Sequence, residues 1–257
     1  MGKFTVLQFN MQFGQGWDEN NPDGAPIDLQ QTIAEIERLN ADVVLLQEVE
    51  HALPNGKQIE PPPNFTQIRQ ALPDYHGYFS YPKSDVRELP FGIGLAILSK
   101  TPLYDEFRLE LPSPKIEFDF FGETKTPTDR LLIGAKTTIH GHEIQLFDTH
   151  LLAFFMLKAS SKIHSEQRQL VLQQLKKSRI PTILGGDFNV SNHSALVDQY
   201  AQEGFRSAQT KDFTWRRMPY VLDHIFFDRQ LKLVDFDVIP TMASDHHMLI
   251  SQFEFNS

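Results

Sequence analysis

Cysteine is missing from all 257 positions, which removes disulfides, a thiolate nucleophile and any zinc–thiolate centre from consideration. Long apolar runs are missing too: the longest, residues 151–157, falls far short of a membrane span. The opening Met1-Gly2-Lys3-Phe4-Thr5-Val6 has no extended apolar core before polar Gln8 and Asn10, unlike a secretory signal. Val6 also stands where a myristoylation pattern wants Ser or Thr. A cytoplasmic location is the resulting expectation. Basic residues are in the minority, 24 against 33 acidic, for a formal charge of −9. That balance argues against loose, charge-driven binding to nucleic acid or an anionic membrane. It leaves room for a polyanionic substrate whose phosphate is neutralised locally by a cation. No Ser/Gly-rich linker, composition break or internal repeat divides the chain, so residues 1–257 are expected to form one domain.

What is present is a series of apolar, strand-like runs, each ending in a short polar string. Residues 4–9 alternate and deliver Asn10. Asp28 offers an N-cap, with Gln31 in capping-box spacing, for a helix carrying Leu29, Ile33, Ile36 and Leu39 and ending at Asn40. Residues 42–46 read as a buried strand with Gln47 and Glu48 at its end, and 93–98 as another, closed by Lys100-Thr101-Pro102. Pro61-Pro62-Pro63 is expected outside any regular element, and residues 111–127 as irregular. Residues 131–139 and 143–149 make a hairpin about His140-Gly141. Helices are expected at 167–177 and 194–203. Strands are expected at 182–184, before a Gly185-Gly186 turn, and at 221–227, 231–239 and 248–255. Strands mixed with a few long helices suggest two sheets packed on each other with helices outside.

The polar strings hold the chemistry. They are Gln8-Phe9-Asn10, Gln47-Glu48, Asp148-Thr149-His150, Gly185-Gly186-Asp187-Phe188-Asn189, Leu222-Asp223-His224-Ile225 and Ser244-Asp245-His246. Hydrolysis of a phosphoester needs charge neutralisation on phosphoryl oxygens, an oriented water and help for the leaving oxygen. Mg²⁺ or Mn²⁺ suits the first task and prefers oxygen ligands such as Glu48. Asp187 and Asn189, two apart in an extended stretch, would point to one side, where an acid can take a proton from water beside a carboxamide. His150 and His246 are imidazoles suited to a developing oxyanion, and Asp223 is the carboxylate to fix the tautomer of His246. Each string taken singly also fits a solvated strand end or an Asx turn.

Taken together and in this order, the strings resemble the endonuclease/exonuclease/phosphatase superfamily over essentially the whole chain. The resemblance implies an α/β fold, a four-layer α-β-β-α sandwich of two mixed β-sheets packed face to face with helices outside. It implies a Mg²⁺ (or Mn²⁺) ion on Glu48 with Asn10 and Asp245 close by. Asp187 would activate water, with Asn189 binding the water or the scissile phosphate. His246, held by Asp223, would contact the phosphate, and His150 would assist its oxygens or the leaving group. One departure stands out. Secreted deoxyribonucleases of the superfamily give the first catalytic histidine an acidic partner from mid-chain, whereas residues 91–98 here are apolar.

Substrate preference rests on loops. Trp215-Arg216-Arg217 combines a stacking surface with two positive charges, suited to a base and a backbone phosphate. Residues 151–157, with Phe154 and Phe155, would favour a lipid or an apolar partner if exposed. Because the resembled superfamily holds many nucleases and Trp215-Arg216-Arg217 suits one, nucleic acid ranks first as substrate by analogy. A phospholipid or small-molecule phosphoester ranks second, and an inactive binding module third. Ion count and oligomeric state stay open at this level.

Overall fold

The structure, a computed structural model, describes residues 2–208 and 211–256. In β1 (Phe4–Asn10), Phe4 and Val6 face one way and Leu7 and Phe9 the other, and all four are buried. A strand buried on both faces must lie inside a layered structure. Asp28 caps α1 (Leu29–Leu39) as expected, its Oδ1 accepting from Gln30 N at 3.0 Å, a contact worth about 1 kcal/mol. Asn40 closes the helix in the left-handed region at φ 49°. The next strand, β2 (Val43–His51), runs five residues beyond Leu46. The proline run corrects its own expectation, because Pro63 opens α2 (Pro63–Ala71). A first-turn residue has no helical N–H bond to lose. Glu50 of β2 caps this helix from outside, its Oε1 accepting from Phe65 N at 2.9 Å.

The chain continues through β3 (His76–Ser80), β4 (Gly92–Ser99) and β5 (Tyr104–Leu111). A small hairpin, β6 (Phe118–Phe120) with β7 (Glu123–Lys125), lies inside the segment expected to be irregular. Next, β8 (Arg130–Ile139) and β9 (His142–His150) form the expected hairpin. His140 and Gly141 at its tip have φ of 50° and 83°, the hand that two-residue hairpin turns prefer. Then follow α3 (Glu166–Leu175), β10 (Thr182–Asp187), α4 (His193–Ala201), β11 (Arg206–Ser207), β12 (Asp223–Phe227), β13 (Leu231–Ile239) and β14 (Met248–Phe255). Gly185 and Gly186 belong to β10 rather than to a turn.

Two six-stranded sheets result, β13-β14-β1-β2-β4-β3 and β11-β12-β10-β9-β8-β5. Each is mixed, with one parallel pair, β1 with β2 and β9 with β10. Residues 228–230 join β12 to β13 across the sheets. Leu29, Ile33 and Ile36 of α1 and Ile68 of α2 cover the outer face of the first sheet. Val171 and Leu175 of α3, with Leu196 and Tyr200 of α4, cover that of the second. The expected α-β-β-α sandwich is thus the fold. Among the described residues, no helix is long and apolar enough to cross a membrane.

The faces that meet between the sheets change character along each strand. Phe4 and Val6 give way to Gln8 and Asn10, and Val43 and Leu45 to Gln47. Ile144 and Leu146 lead to Asp148 and His150. On β12, running the opposite way to β10, Phe227 and Ile225 lead back to Asp223. Apolar burial holds one end of the sandwich closed, and polar side chains gather at the other.

Candidate active site

Glu48 reaches this polar end through a break in the sheet. β2 and β4 slip register between Gln47 and Glu50, and Glu48 takes φ 52°, in the left-handed region. For a residue with a Cβ that costs on the order of 1 kcal/mol. The bulge sends two nearby acids to different tasks, Glu48 into the cleft and Glu50 onto α2. Gly92 across the ladder leaves the room, since a Cβ there would lie 2.2 Å from that of Glu48.

Asn10, at the end of β1, ties the acids together. Its Nδ2 donates to Glu48 Oε1 at 2.9 Å and to Asp187 Oδ2 at 3.1 Å, while its Oδ1 accepts from Gln12 N. The amide of Asn10, rather than its oxygen, therefore faces the carboxylates. His150 Nε2 stands 3.6 Å from Asp187 Oδ2 and 3.8 Å from Glu48 Oε1, ion-pair rather than hydrogen-bond range. The carboxylates that face His150 are thus the two acids of the cleft, and not residues of 91–98. His246 Nδ1 donates to Asp223 Oδ2 at 2.8 Å, and its Nε2 points toward Asp187 Oδ2 at 3.7 Å.

Asn189 is close but not in the expected extended stretch. It sits at φ 51°, its N–H donating to Asp187 Oδ1 at 2.9 Å and its Nδ2 to Leu151 O at 3.1 Å. The backbone turns there instead of alternating, so the pair is linked through a local Asx bond. Asp245 lies at the same mouth, with Oδ2 occupied by Arg217 Nε at 2.7 Å and Trp215 Nε1 at 3.1 Å. Arg217 also holds Asp23, Arg216 donates to Thr241 O, and both guanidinium groups lie over Trp17. The two arginines read as substrate grips from the sequence are thus engaged by the protein itself. Trp215 forms a half-buried wall with Phe155 and Tyr220, 6.2 Å from the His246 ring. Phe154 is buried and stacked on His164, so it offers no surface to a lipid.

Burial dominates the electrostatics. It pushes the Glu48 carboxyl up to about 6, against the Asn10 hydrogen bond, and nearby Asp245 adds to the rise. Burial with Asp223 and Glu48 nearby raises Asp187 to about 7. His246 is raised to about 10, because burial is outweighed by Asp223, Asp187 and Asp245. His150 is held well below its usual value by burial, Arg130 and His246, and so stays neutral. Arg130, at the start of β8, was missed from the sequence. It lowers both Glu48 and His150, and among the described residues its Nε has no hydrogen-bond partner. Its only sequence signal is a charge opening the strand whose Leu131 pairs with His150.

The model of the endonuclease/exonuclease/phosphatase family matches residues 7–246. The chain belongs to this family. A UPF0294 protein of Yersinia pseudotuberculosis is 29% identical over 138 residues, 51% of this chain and 52% of that protein. The chain thus spans about half the length of the curated relatives it matches. An endonuclease/exonuclease/phosphatase from Beutenbergia cavernae superposes with a TM-score of 0.74 at 18% identity, over 100% of this chain and 72% of that one. The catalytic domain of human Nocturnin, with bound sulfate, gives 0.64 at 19% identity, over 99% and 94%. At these identities the likeness is one of fold.

The family's divalent cation fits the residues present. Single donor atoms of Glu48, His150 and Asp187 lie within 4.8 Å of one another. The two acids are held up by burial, the condition a cation relieves. The carboxylate oxygens among these donors suit a hard divalent cation. A second cluster, Asp187, Asp223 and His246, is partly closed by its own hydrogen bond.

Proposed function

We propose that the chain is a divalent-metal-dependent phosphodiesterase acting on nucleic acid or a nucleotide-like ester. The observation that carries this is the convergence of Glu48, Asp187, His150 and the Asp223–His246 pair on one cleft, from strands and loops of both sheets. Glu48 would hold the cation, with Asp187 bordering it and Asn10 and Asp245 close by. A bound cation would supply charge neutralisation on the phosphoryl oxygens. Asp187, with its carboxyl near 7, is suited to take a proton from water, and Asn189 to orient that water or the phosphate. His246 would meet the phosphate as an imidazolium held by Asp223. His150, kept neutral, would donate a hydrogen bond rather than a charge.

The Trp215–Phe155–Tyr220 wall beside His246 favours an ester with a flat ring near the scissile phosphorus. The test is hydrolysis of a panel: single-stranded and duplex DNA, RNA, sphingomyelin and inositol phosphates. EDTA should abolish activity, and Mg²⁺ or Mn²⁺ restore it. Full turnover in EDTA would exclude the mechanism, and cleavage of the lipid alone would replace the substrate class.

A further inference from the structure

Gln8, Gln47, Asp148 and Asp223 are wholly buried polar side chains between the sheets, and hydrogen bonds run through them without a gap. Gln47 Nε2 donates to Asp148 Oδ1 at 2.6 Å and to Leu45 O at 3.3 Å. Gln8 Nε2 donates to Gln47 Oε1 at 2.6 Å and to Asp223 Oδ1 at 2.9 Å. The other oxygen of Asp223 takes Nδ1 of His246. The row starts on β9 of one sheet, crosses to β2 and β1 of the other, and returns to β12.

This order of donors fixes every amide. Gln47 turns its nitrogen to Asp148 and so presents oxygen to Gln8, which in turn presents nitrogen to Asp223. Flipping Gln8 would set its oxygen against that of Gln47 and against a carboxylate. Among the described residues, the present orientation leaves Gln8 Oε1 without a hydrogen-bond partner, so the two donated bonds decide it. Gly185 packs beside the crossing with no room for a side chain, since a Cβ there would lie 2.5 Å from Leu45 Cδ1. Polar groups this deep are costly beside apolar residues of the same shape. Asp148 and Gln47 also stand behind the cleft, where direct help to a substrate is out of reach.

We propose that Gln8 is a positioning residue. Anchored through Gln47 on Asp148, it holds Asp223 so that His246 keeps Nδ1 on that carboxylate and Nε2 toward Asp187. This rests on the hydrolase reading above. Outer partners of this kind change activity by about 10–100-fold. Gln8→Met should therefore lower kcat on bis(4-nitrophenyl) phosphate with Mg²⁺ by about that factor, with KM changed far less. In an Asp223→Asn background the same substitution should cost less than about threefold. Equal losses in both backgrounds would overturn the proposal. Asp148→Asn, which keeps an acceptor toward Gln47, should stay nearer wild type than Asp148→Leu; the reverse order counts against the anchor. Should Gln8→Met not fold, Gln8→Glu keeps the size but sets an acceptor against Asp223. A second readout needs no turnover: in ¹⁵N-histidine-labelled protein, the downfield, slowly exchanging Nδ1 proton of His246 should be lost in Gln8→Met. Its persistence would sink the positioning role even in a protein that hydrolyses nothing on the panel.

Discussion

At Asp187, burial and two neighbouring acids act in one direction, and the same group is the one we propose to activate water. Asp187→Asn should lower kcat by about 10²–10⁴-fold while barely moving the melting temperature, a pair of outcomes read by steady-state kinetics and thermal melts. Wild-type kcat in that variant would remove Asp187 from the chemistry. The raised values also set a pH dependence. Glu48 near 6 and Asp187 near 7 favour the fold while protonated. Their stabilisation is full below the ordinary carboxyl range and lost as pH rises through 6 and 7. His246, raised to about 10, has the same sign, its imidazolium favouring the fold until pH approaches that value. His150, lowered, has the opposite sign but acts only below its ordinary 6.5. In EDTA the protein should therefore melt at a lower temperature at about pH 8.5 than at about pH 6.5. Mg²⁺ should recover more stability at the higher pH, because ligation needs ionised carboxyls. At this scale Glu48, Asp187, Asp223 and His246 were legible as acids and imidazoles terminating apolar runs. Gln8 and Asp148 stood in those strings without a role, and Arg130 stood outside them, since a polar residue on a strand does not announce what it meets across the sandwich.

Elements decide where those side chains point. The bulge that aims Glu48 depends on the empty space over Gly92, so Gly92→Ala should push the carboxylate aside. Misplacement of a ligand by about 1 Å costs roughly 10²-fold in productive geometry. The expected outcome is Mg²⁺ affinity weakened at least about tenfold by calorimetry, with far-ultraviolet dichroism unchanged. Unaltered affinity would mean that Glu48 is not held by this contact. Alternation in residues 4–9 and the caps Asp28 and Asn40 made β1 and α1 readable. The bulge interrupts alternation after Gln47, which hid the rest of β2. The edge strand β3 carries only two adjacent aromatics and gave no comparable pattern, whereas Phe107, Leu109 and Leu111 of β5 alternate with Arg108 and Glu110 and went unread. At Asn189 a left-handed residue defeated the assumption that neighbours two apart share a face.

On the scale of the molecule, charge constrains the partner. The chain carries −9, and Arg216 and Arg217 are already paired or bonded inside it. Proteins that make 6–10 phosphate contacts lose about 10³–10⁵ in affinity between 50 and 200 mM salt. This one should lose less than about tenfold over that range on an oligonucleotide, measured as KM. A steep slope would mean a basic track that the fold does not display. The layered architecture was readable because many buried strands with few helices leave little choice but facing sheets. The crossing from β12 to β13 was not, since an Asp-Arg-Gln connection looks the same whether it folds back or passes between sheets. That crossing leaves Asp223 before residues 228–230 and His246 after them. A protease cut in the connection would thus split the imidazole from its carboxylate, and recovered turnover would report the reassembly of two separately supplied fragments.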